Sequence, residues 1–434
     1  MALNVKKGDK VTVSGKPMYT SYGGNPGKQL NNYMGTVTHL NTREGVPYPI
    51  HIDSKGWFAQ SAVTTAVKAE EIAKDKSVTV SGTTIAPNKA RRTIISLLFA
   101  GVDISTELAN YLISLTYTDN ESGTADDIAI ELDDRDLIWL DGYLNKKVSG
   151  EDLKGHWIDV TILLLNHYDD GKSQRLSCGK FQIDSVGYDG PPNKISLKAS
   201  SIAKEASMKN EKKSKAWEGV TLEMIGKEIA NSAGYMFLYE STQRPMYKHV
   251  EQVNQCDLEF LNDLCLKAGI ALKVTNEQIV MFDAAEYEKK AKVKTFHRLS
   301  SGVISYSFDS EDGDASYTAC KVTYTDPETK KKIEATFTNP NATAKGETLQ
   351  VKNVKVADKA EALEMAKKKL RAKNKGENKG TLNVVGDVEL VAGLTIELEG
   401  FGAFSGKWYV EKATHKVTSG YTTALQIRKV IEDY

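Results

Sequence analysis

The sequence predicts a mainly β protein that carries an α+β insertion near its middle. Short apolar runs bounded by Gly, Asn, Asp and Pro recur along most of the 434 residues, which is typical of strands and turns. Isoleucine and leucine alternate with alanine and glutamate in residues 128–132, the pattern of a half-buried strand. Helical spacing between capping residues is clearest in three stretches, which begin at Thr221, Asn254 and Asp358.

The pattern changes at four places along the chain and therefore predicts five segments. Five short predicted strands at the start fit a small barrel. Turn residues and a charged run, AVKAEEIAKDK, which could form a short helix, follow as a linker. The predicted segments are a small β-barrel (1–66), the linker (67–90), a first β-barrel (91–200), an α+β insertion (201–300) and a second β-barrel with a helix at 359–373 (301–434).

The central stretch 254–282 predicts a helix, a glycine stop and a hairpin. Asn254 or Asp257 is the expected N-cap, and Gly269 ends the helical spacing. Two short apolar runs follow, and the Asn276-Glu277 pair between them predicts a tight hairpin turn.

Three further features complete the predicted secondary structure. Residues 204–215 are rich in lysine and predict an exposed loop, whereas Thr221 predicts the N-cap of a helix that ends at Gly234. Asp358 predicts the N-cap of the C-terminal helix. The expected apolar face of that helix consists of Ala362, Leu363, Ala366 and Leu370.

Charge and hydropathy exclude several classes of function. The 57 basic residues are balanced by 57 acidic residues, so general nucleic-acid binding is not expected. The first ten residues, MALNVKKGDK, lack the apolar core of a signal peptide. No run reaches the ~18 apolar residues that would span a bilayer.

The reactive side chains show no strong catalytic, cofactor or metal pattern, and we expect none of these sites. The four cysteines match no zinc or redox spacing and predict small buried thiols. Cys256 with His249 is the one nucleophile pair to consider, because Cys256 lies near a predicted helix start. The acidic run Asp133, Asp134 and Asp136 would either hold a divalent cation or form a turn that is salt-bridged to Arg135.

The first segment resembles bacterial SH3-like modules. VKKGDKV opens the first predicted strand and GWF stands near the end, as in such modules. The resemblance implies binding of cell-wall peptides or glycans through exposed aromatic side chains. Two alternatives are that Trp57 and Tyr33 fill the small core, or that the module docks onto another protein. The candidate wall- or protein-binding aromatics are Tyr19, Tyr22, Tyr33, Tyr48 and Trp57.

The chain from about Arg91 onward resembles the baseplate hub family of contractile phage tails. This is the late control gene D family, with relatives in PBSX-type prophages and in phage-tail-like bacteriocins (tailocins). The resemblance rests on several motifs in a fixed order, which are LISLTYTDNESGTADDIAIELDDRDLIWL, CGKFQIDSVGYDGPPNKISLKASS, AWEGVTLEMIGKEIANSAG, CDLEFLNDLCLKAG and GFGAFSGKWYVEKATHKVTSGYTTALQIRK.

The resemblance implies a structural protein. In this family each chain carries two tube-protein-like β-barrels separated by the helix-containing insertion, and three chains form a pseudo-six-fold ring that joins the tail tube to the central spike. The implied partners are the tail tube protein, the spike and other baseplate proteins, and the implied place of assembly is the bacterial cytoplasm. A further partner would be peptidoglycan, through residues 1–66. The alternative function is a cell-wall-degrading hydrolase with an SH3-like wall-binding module.

Overall fold

The computed structural model divides the chain into two units, residues 1–88 and residues 89–434. Each unit is described by itself. The described residues are 10–18, 28–41, 46–48, 50–52, 55–67, 78–80, 83–85, 91–99, 102–103, 105–143, 153–167, 173–203, 207–300, 302–310, 317–327, 329–342 and 347–431.

The first unit contains a five-stranded antiparallel sheet, and its five strands confirm the predicted strands. The strands are β1 (Lys10–Gly15), β2 (Leu30–Leu40), β3 (Ile50–Ile52), β4 (Gly56–Phe58) and β5 (Val63–Val67), with a 3₁₀ turn at Gln60–Ala62. They lie in the order β4-β3-β2-β1-β5. The buried core is small and consists of Val11, Val13, Val37, Ile50, Ile52 and Phe58.

The predicted linker contains an antiparallel hairpin of β6 (Val78–Val80) and β7 (Thr83–Ile85). The possible helix in AVKAEEIAKDK lies almost entirely outside the described residues.

In its described residues, the second unit has strands β8 to β28 and six α-helices. The first β-rich part has β8 (Arg92–Phe99), β9 (Val102–Asp103), α1 (Ser105–Tyr111), β10 (Leu112–Asn120), β11 (Asp127–Asp133), a π-helical turn (Ile138–Tyr143), β12 (Trp157–Leu165), β13 (Ser173–Asp189) and β14 (Lys194–Ser200). The insertion has α2 (Ser207–Asn210), β15 (Lys212–Thr221), α3 (Leu222–Ala233), β16 (Met236–Glu240), β17 (Met246–Cys256), α4 (Asp257–Ala268), β18 (Ala271–Thr275), β19 (Gln278–Phe282), α5 (Ala284–Lys289) and β20 (Lys294–His297).

The last part of the second unit returns to strands. It has β21 (Val303–Ser310), β22 (Tyr317–Thr325), β23 (Lys332–Thr338), β24 (Glu347–Lys352), α6 (Lys359–Asn374), β25 (Asn378–Val385), β26 (Thr395–Glu399), a 3₁₀ turn (Gly402–Phe404), β27 (Gly406–Val417) and β28 (Tyr421–Lys429). The chain is therefore mainly β, as predicted. Within the described ranges, no helix is long and apolar enough to cross a bilayer.

The two β-rich parts belong to one large sheet. Its strands lie in the order β21-β25-β28-β27-β10-β11-β14-β13-β12-β8-β9, and β26 and β20 extend it from β27. The antiparallel pairing of β10 with β27 joins the two parts. The sequence alone places two β-barrels in separate segments and does not show this connection.

The insertion has its own core beneath α3 and α4. The predicted helix after Thr221 is confirmed, because Oγ1 of Thr221 accepts a hydrogen bond from the amide of Met224 at 3.3 Å and Gly234 ends the helix at a φ of 75°. The predicted loop over residues 204–215 is wrong for most of its described part, because α2 occupies Ser207–Asn210 and β15 begins at Lys212. β15 pairs with β17 as a two-stranded ribbon.

The central helix and hairpin are confirmed, with one correction at the cap. Cys256, and neither of the two predicted residues, is the N-cap of α4, and its side chain makes no capping hydrogen bond. Asp257 is buried in the first turn and accepts a hydrogen bond from the Lys213 ammonium at 2.6 Å. Gly269 ends α4 at a φ of 73°, and the Asn276-Glu277 turn has two positive φ angles, as a type I′ hairpin turn requires.

The C-terminal helix packs on a separate three-stranded sheet in the order β23-β22-β24. Asp358 caps α6 as predicted, and its Oδ1 accepts a hydrogen bond from the amide of Glu361 at 2.8 Å. Ala362, Ala366 and Leu370 are buried against the sheet. Leu363, which was expected on the same face, is 41% exposed because it lies one residue beyond that face.

A buried ionic junction holds these parts together. The Glu288 carboxylate in α5 accepts hydrogen bonds from Arg428 of β28 at 2.6 Å and from Arg371 of α6 at 2.7 Å. Burial by itself would raise the pKa of Glu288, but the two guanidinium groups outweigh burial and lower that pKa. The Arg428 guanidinium lies 4.6 Å from the centre of the Tyr409 ring. The tyrosine hydroxyl donates to Glu121, just after β10, at 2.8 Å. The insertion, α6 and both β-rich parts therefore meet at one set of charges.

Candidate functional site

The large sheet contains the same five-stranded arrangement twice. We call the strands β10-β11-β14-β13-β12 the first sheet repeat and the strands β21-β25-β28-β27-β26 the second sheet repeat. Every pair of neighbours is antiparallel in both. The two repeats also correspond residue by residue, as the first and fourth strands of each show.

The first strands of the two repeats, β10 and β21, carry the same irregularity. The register of β10 against β11 shifts between Leu112 and Ser114, and the register of β21 against β25 shifts between Val303 and Ser305. Ser114 donates to Glu131 of the neighbouring strand at 3.1 Å, and Ser305 accepts from Asn383 at 2.7 Å in the equivalent place. The two strands read LISLTYTDN and VISYSFDS.

The fourth strands, β13 and β27, match in the same way. Gly179 and Gly406 have φ angles of 97° and 117°, a region that favours glycine. They open the sequences GKFQID and GKWYVE, in which Phe181 and Trp408 are fully buried at equivalent positions. Both strands then shift register at the following acidic residue. The second unit is therefore built on an internal duplication.

The contact between the two repeats, which we call the seam, is the pairing of β10 with β27. Six residue pairs run from Leu115 opposite Val417 to Asn120 opposite Lys412. The Tyr117 ring stacks on the His415 ring at a centroid distance of 5.8 Å. The first strand of one repeat thus pairs with the fourth strand of the other repeat.

The seam buries titratable groups. Nδ1 of His415 lies 2.7 Å from the Tyr421 hydroxyl, and the imidazole is fully buried. Burial lowers the pKa of His415 to about 4, so this histidine is neutral at physiological pH. A neutral ring can stack at the seam without the cost of a buried charge.

A buried charge cluster ties the end of the seam to the insertion. The Lys273 ammonium of β18 contacts Asp119 of β10, the Asn120 carbonyl oxygen at 2.8 Å and Asp126 at 3.5 Å. Burial raises the pKa of Asp126 to about 6, with the neighbouring Asp119 carboxylate adding to the effect, although Lys273 acts in the opposite direction. The insertion is therefore anchored at the residues that form the seam.

Comparison with known proteins finds similarity to phage baseplate hub proteins and to tail proteins. Residues 267–428 match the YQBQ-like family model. The probable baseplate hub protein of Escherichia phage P2 is 26% identical over 212 residues, which are 48% of this chain and 48% of the phage protein. About half of the chain is therefore similar in sequence to phage baseplate hub proteins. The matched region spans about half the length of the curated relatives.

Two solved structures share the fold of this chain. The tail protein from Neisseria meningitidis MC58 has a TM-score of 0.58 at 14% identity, over 78% of this chain and 98% of that protein. The tail protein of prophage MuSo2 from Shewanella oneidensis has a TM-score of 0.55 at 12% identity, over 78% and 97% of the two chains. The chain therefore shares its fold with these two tail proteins.

The aromatic site predicted in the first unit lies only partly within the described residues. Trp57 lies on β4 outside the small core and packs edge-to-face on His51, with ring centroids 5.0 Å apart. Phe58 fills the core instead. Trp57 is therefore not the core residue that the alternative interpretation required. Tyr48 is half-buried, the backbone of Tyr33 pairs with Val13 in β1, and Tyr19 and Tyr22 lie outside the described residues.

The two residues of the candidate nucleophile pair lie far apart on the same strand. His249 and Cys256 both belong to β17, and seven residues of extended chain span on the order of 20 Å. His249 contacts Glu251 at 2.7 Å instead. Burial raises the pKa of the Cys265 thiol to about 12 and that of Cys320 to about 11, so neither is a thiolate at neutral pH.

The acidic run after β11 forms the predicted salt-bridged turn. Arg135 contacts Asp133 at 3.0 Å. Asp134 is buried and accepts hydrogen bonds from the amides of Trp139 and Leu140 and from a tyrosine hydroxyl. Across the described part of the chain, no group of three or more His, Cys, Asp or Glu side chains is placed to hold a metal ion.

The resemblance implied two similar β-rich parts, but sequence reasoning missed their residue-by-residue correspondence and the seam that joins them. The signal of this correspondence is present in the printed sequence, since LISLTY aligns with VISYSF and GKFQID aligns with GKWYVE. The two copies of each motif lie about two hundred residues apart, and the insertion between them hides the repeat.

The charge cluster predicts a specific pH dependence. The unfolded chain releases the Asp126 proton near pH 3.8, whereas the folded chain holds it up to about pH 6. The stability that this group contributes is thus present below about pH 4 and lost as the pH rises through 6. Asp126→Asn removes this pH-dependent loss of stability. The free energy of unfolding of the variant minus that of the parent should therefore increase by about 1–3 kcal/mol as the pH rises from 4 to 7.

Urea denaturation across this pH range measures the effect, and Asp189→Asn, on an exposed carboxylate, is the matched control. A constant difference between Asp126→Asn and the parent at all pH values would contradict the assignment.

Proposed function

We propose that the chain is the structural baseplate hub of a contractile phage tail or of a phage-tail-like bacteriocin. Three copies form a ring that joins the tail tube to the central spike. The duplicated sheet in a relative of baseplate hub proteins carries this proposal. Because each chain holds two sheet repeats, three chains present six similar β-sheets around one axis. Such a ring matches a six-fold tube on one side and a three-fold spike on the other.

The proposed partners are the tail tube protein, the central spike and other baseplate proteins, and the proposed place of assembly is the bacterial cytoplasm. In this function the chain acts by holding proteins in register, and no bond is made or broken. The separation of His249 from Cys256 along β17 leaves the wall-hydrolase alternative without a supporting observation in the described residues.

The ring predicts a defined particle. The purified full chain, mixed with a tail tube protein, should give rings with three-fold symmetry and six similar densities in negative-stain electron microscopy. The same preparation should not clear bacterial cell walls in a turbidity assay. A chain that stays outside every tail particle, or that clears walls and loses this activity on Cys256→Ala, would contradict the hub function.

We also propose that the first unit binds cell-wall peptide or glycan through the face that carries Trp57. The position of Trp57 outside the core, beside His51, supports this proposal. Truncating an aromatic anchor usually costs more than about 1 kcal/mol of binding, or roughly fivefold in affinity. Trp57→Ala should therefore weaken co-sedimentation of the full chain with peptidoglycan about fivefold or more, and Trp57→Phe should retain most of it. Equal binding by all three chains would point to protein docking instead.

A further inference from the structure

We propose that β21 of one copy pairs antiparallel with residues 185–189 of β13 in the next copy, so that the seam is repeated between chains. This inference deepens the proposed function and rests on it, because a ring needs a contact between copies. The residues are assigned independently, from the internal duplication.

The position of β21 in its repeat is the first observation. β21 is the equivalent of β10, yet among the described strands it pairs only with β25 and forms the edge of the large sheet. Leu115 in β10 is fully buried, whereas the equivalent Tyr306 in β21 is 43% exposed. Asp119 is likewise buried at the seam, and the equivalent Ser310 is exposed. The same strand is covered in one repeat and open in the other.

The complementary surface lies on β13, the equivalent of β27. The pairing of β13 with β12 stops at Gln182, whereas its pairing with β14 continues to Asp189. In the second repeat the corresponding part of β27 takes β10 as its partner. Ala413 is fully buried there, and the equivalent Val186 of β13 is only half-buried. Each copy therefore has β21 as the equivalent of β10 and β13 as the equivalent of β27, both available for pairing with another copy.

The composition of β21 also indicates a partner. Long exposed edge strands are normally protected by charged side chains, above all lysine, by proline, by β-bulges or by short length. The register shift near the start of β21 is also present in β10, where it does not prevent pairing with β27. The eight residues VISYSFDS contain neither lysine nor proline. Ile304 is 56% exposed on this strand, and Leu299 just before it is 89% exposed. An edge of this kind is stable in solution when another strand covers it.

The seam supplies the register. Thr116 pairs with Lys416 and Tyr117 pairs with His415 at the seam. The register shifts align Ser307 and Phe308 with Thr116 and Tyr117. They likewise align Asp189 and Tyr188 with Lys416 and His415. The same register between chains therefore places Ser307 opposite Asp189 and Phe308 opposite Tyr188 of the next copy. The Phe308–Tyr188 pair would then take the place of the stacked Tyr117–His415 pair.

The contact uses two different surfaces and is therefore head-to-tail. Such contacts close into a ring when the rotation between copies divides a full turn, and they give filaments otherwise. Because the contact copies the seam, the angle between chains repeats the angle between the two sheet repeats of one chain, which favours closure.

Cysteine cross-linking of the full chain tests the register. In a Cys256→Ser background, one chain carries Ser307→Cys and a second carries Asp189→Cys. After mixing, concentration and mild oxidation, a disulfide-linked dimer is expected on a non-reducing gel, because directly opposite residues in a sheet have disulfide geometry. Chains that carry both substitutions should lose the monomer band and give a closed covalent oligomer.

The control partner for Ser307→Cys is Ser185→Cys, which shares the face of Asp189 but lies about 13 Å along the strand. Rings in the microscope without the 307–189 cross-link would overturn the strand pairing and leave the hub function standing. A 307–189 cross-link in chains that never form a closed oligomer would support the strand pairing and contradict the ring. A cross-link of equal yield at 307–185, or neither rings nor cross-link, would overturn the inference.

Discussion

The antiparallel seam between β10 and β27 is the interaction on which the rest of the second unit depends. It joins the two copies of one sheet arrangement through strands that lie about three hundred residues apart in the chain. Its last residues also position the insertion, because Asp119 binds Lys273 of β18 and accepts a hydrogen bond from the amide of Ala392 at 2.8 Å. A slip of one residue would turn every side chain of β10 to the opposite face and remove these contacts at once.

Buried polar groups define this register more sharply than apolar packing could. Apolar strands tolerate several alignments, whereas a buried charge is stable only where its partner is placed. Asp119 and Lys273 satisfy this condition at the seam, and Glu288 with its two arginines satisfies it at the junction with α6. Removing one partner of such a pair leaves a buried charge and commonly costs about 3–5 kcal/mol. We infer that these groups are retained for alignment of the parts.

Local signals in the sequence predicted local structure well. Thr221, Gly234, Asp358 and the Asn276-Glu277 turn lie where their capping and turn chemistry placed them. The ribbon of β15 and β17 could not be predicted in the same way. Its first strand, KKSKAWEGVT, buries only Trp217 and so lacks the alternation that identifies a half-buried strand. Its stability comes from the partner strand, about thirty residues further along the chain.

The candidate site was less accessible to sequence reasoning for a related reason. The sequence of a strand does not specify which distant strand it pairs with, so the seam cannot be predicted until the sheet topology is known. The N-terminal aromatics were chosen by residue type, and the structure separates Phe58 in the core from Trp57 outside it, which alternation along β4 explains.

Amide hydrogen exchange on the isolated chain and on assembled rings tests most directly whether the seam is repeated between copies. In the isolated chain, β10 should exchange slowly and the outward amides of β21 should exchange quickly. On assembly, protection in β21 should rise to the level of β10, and residues 185–189 should gain protection with it. Rings in which β21 exchanges as quickly as in the isolated chain would contradict the account.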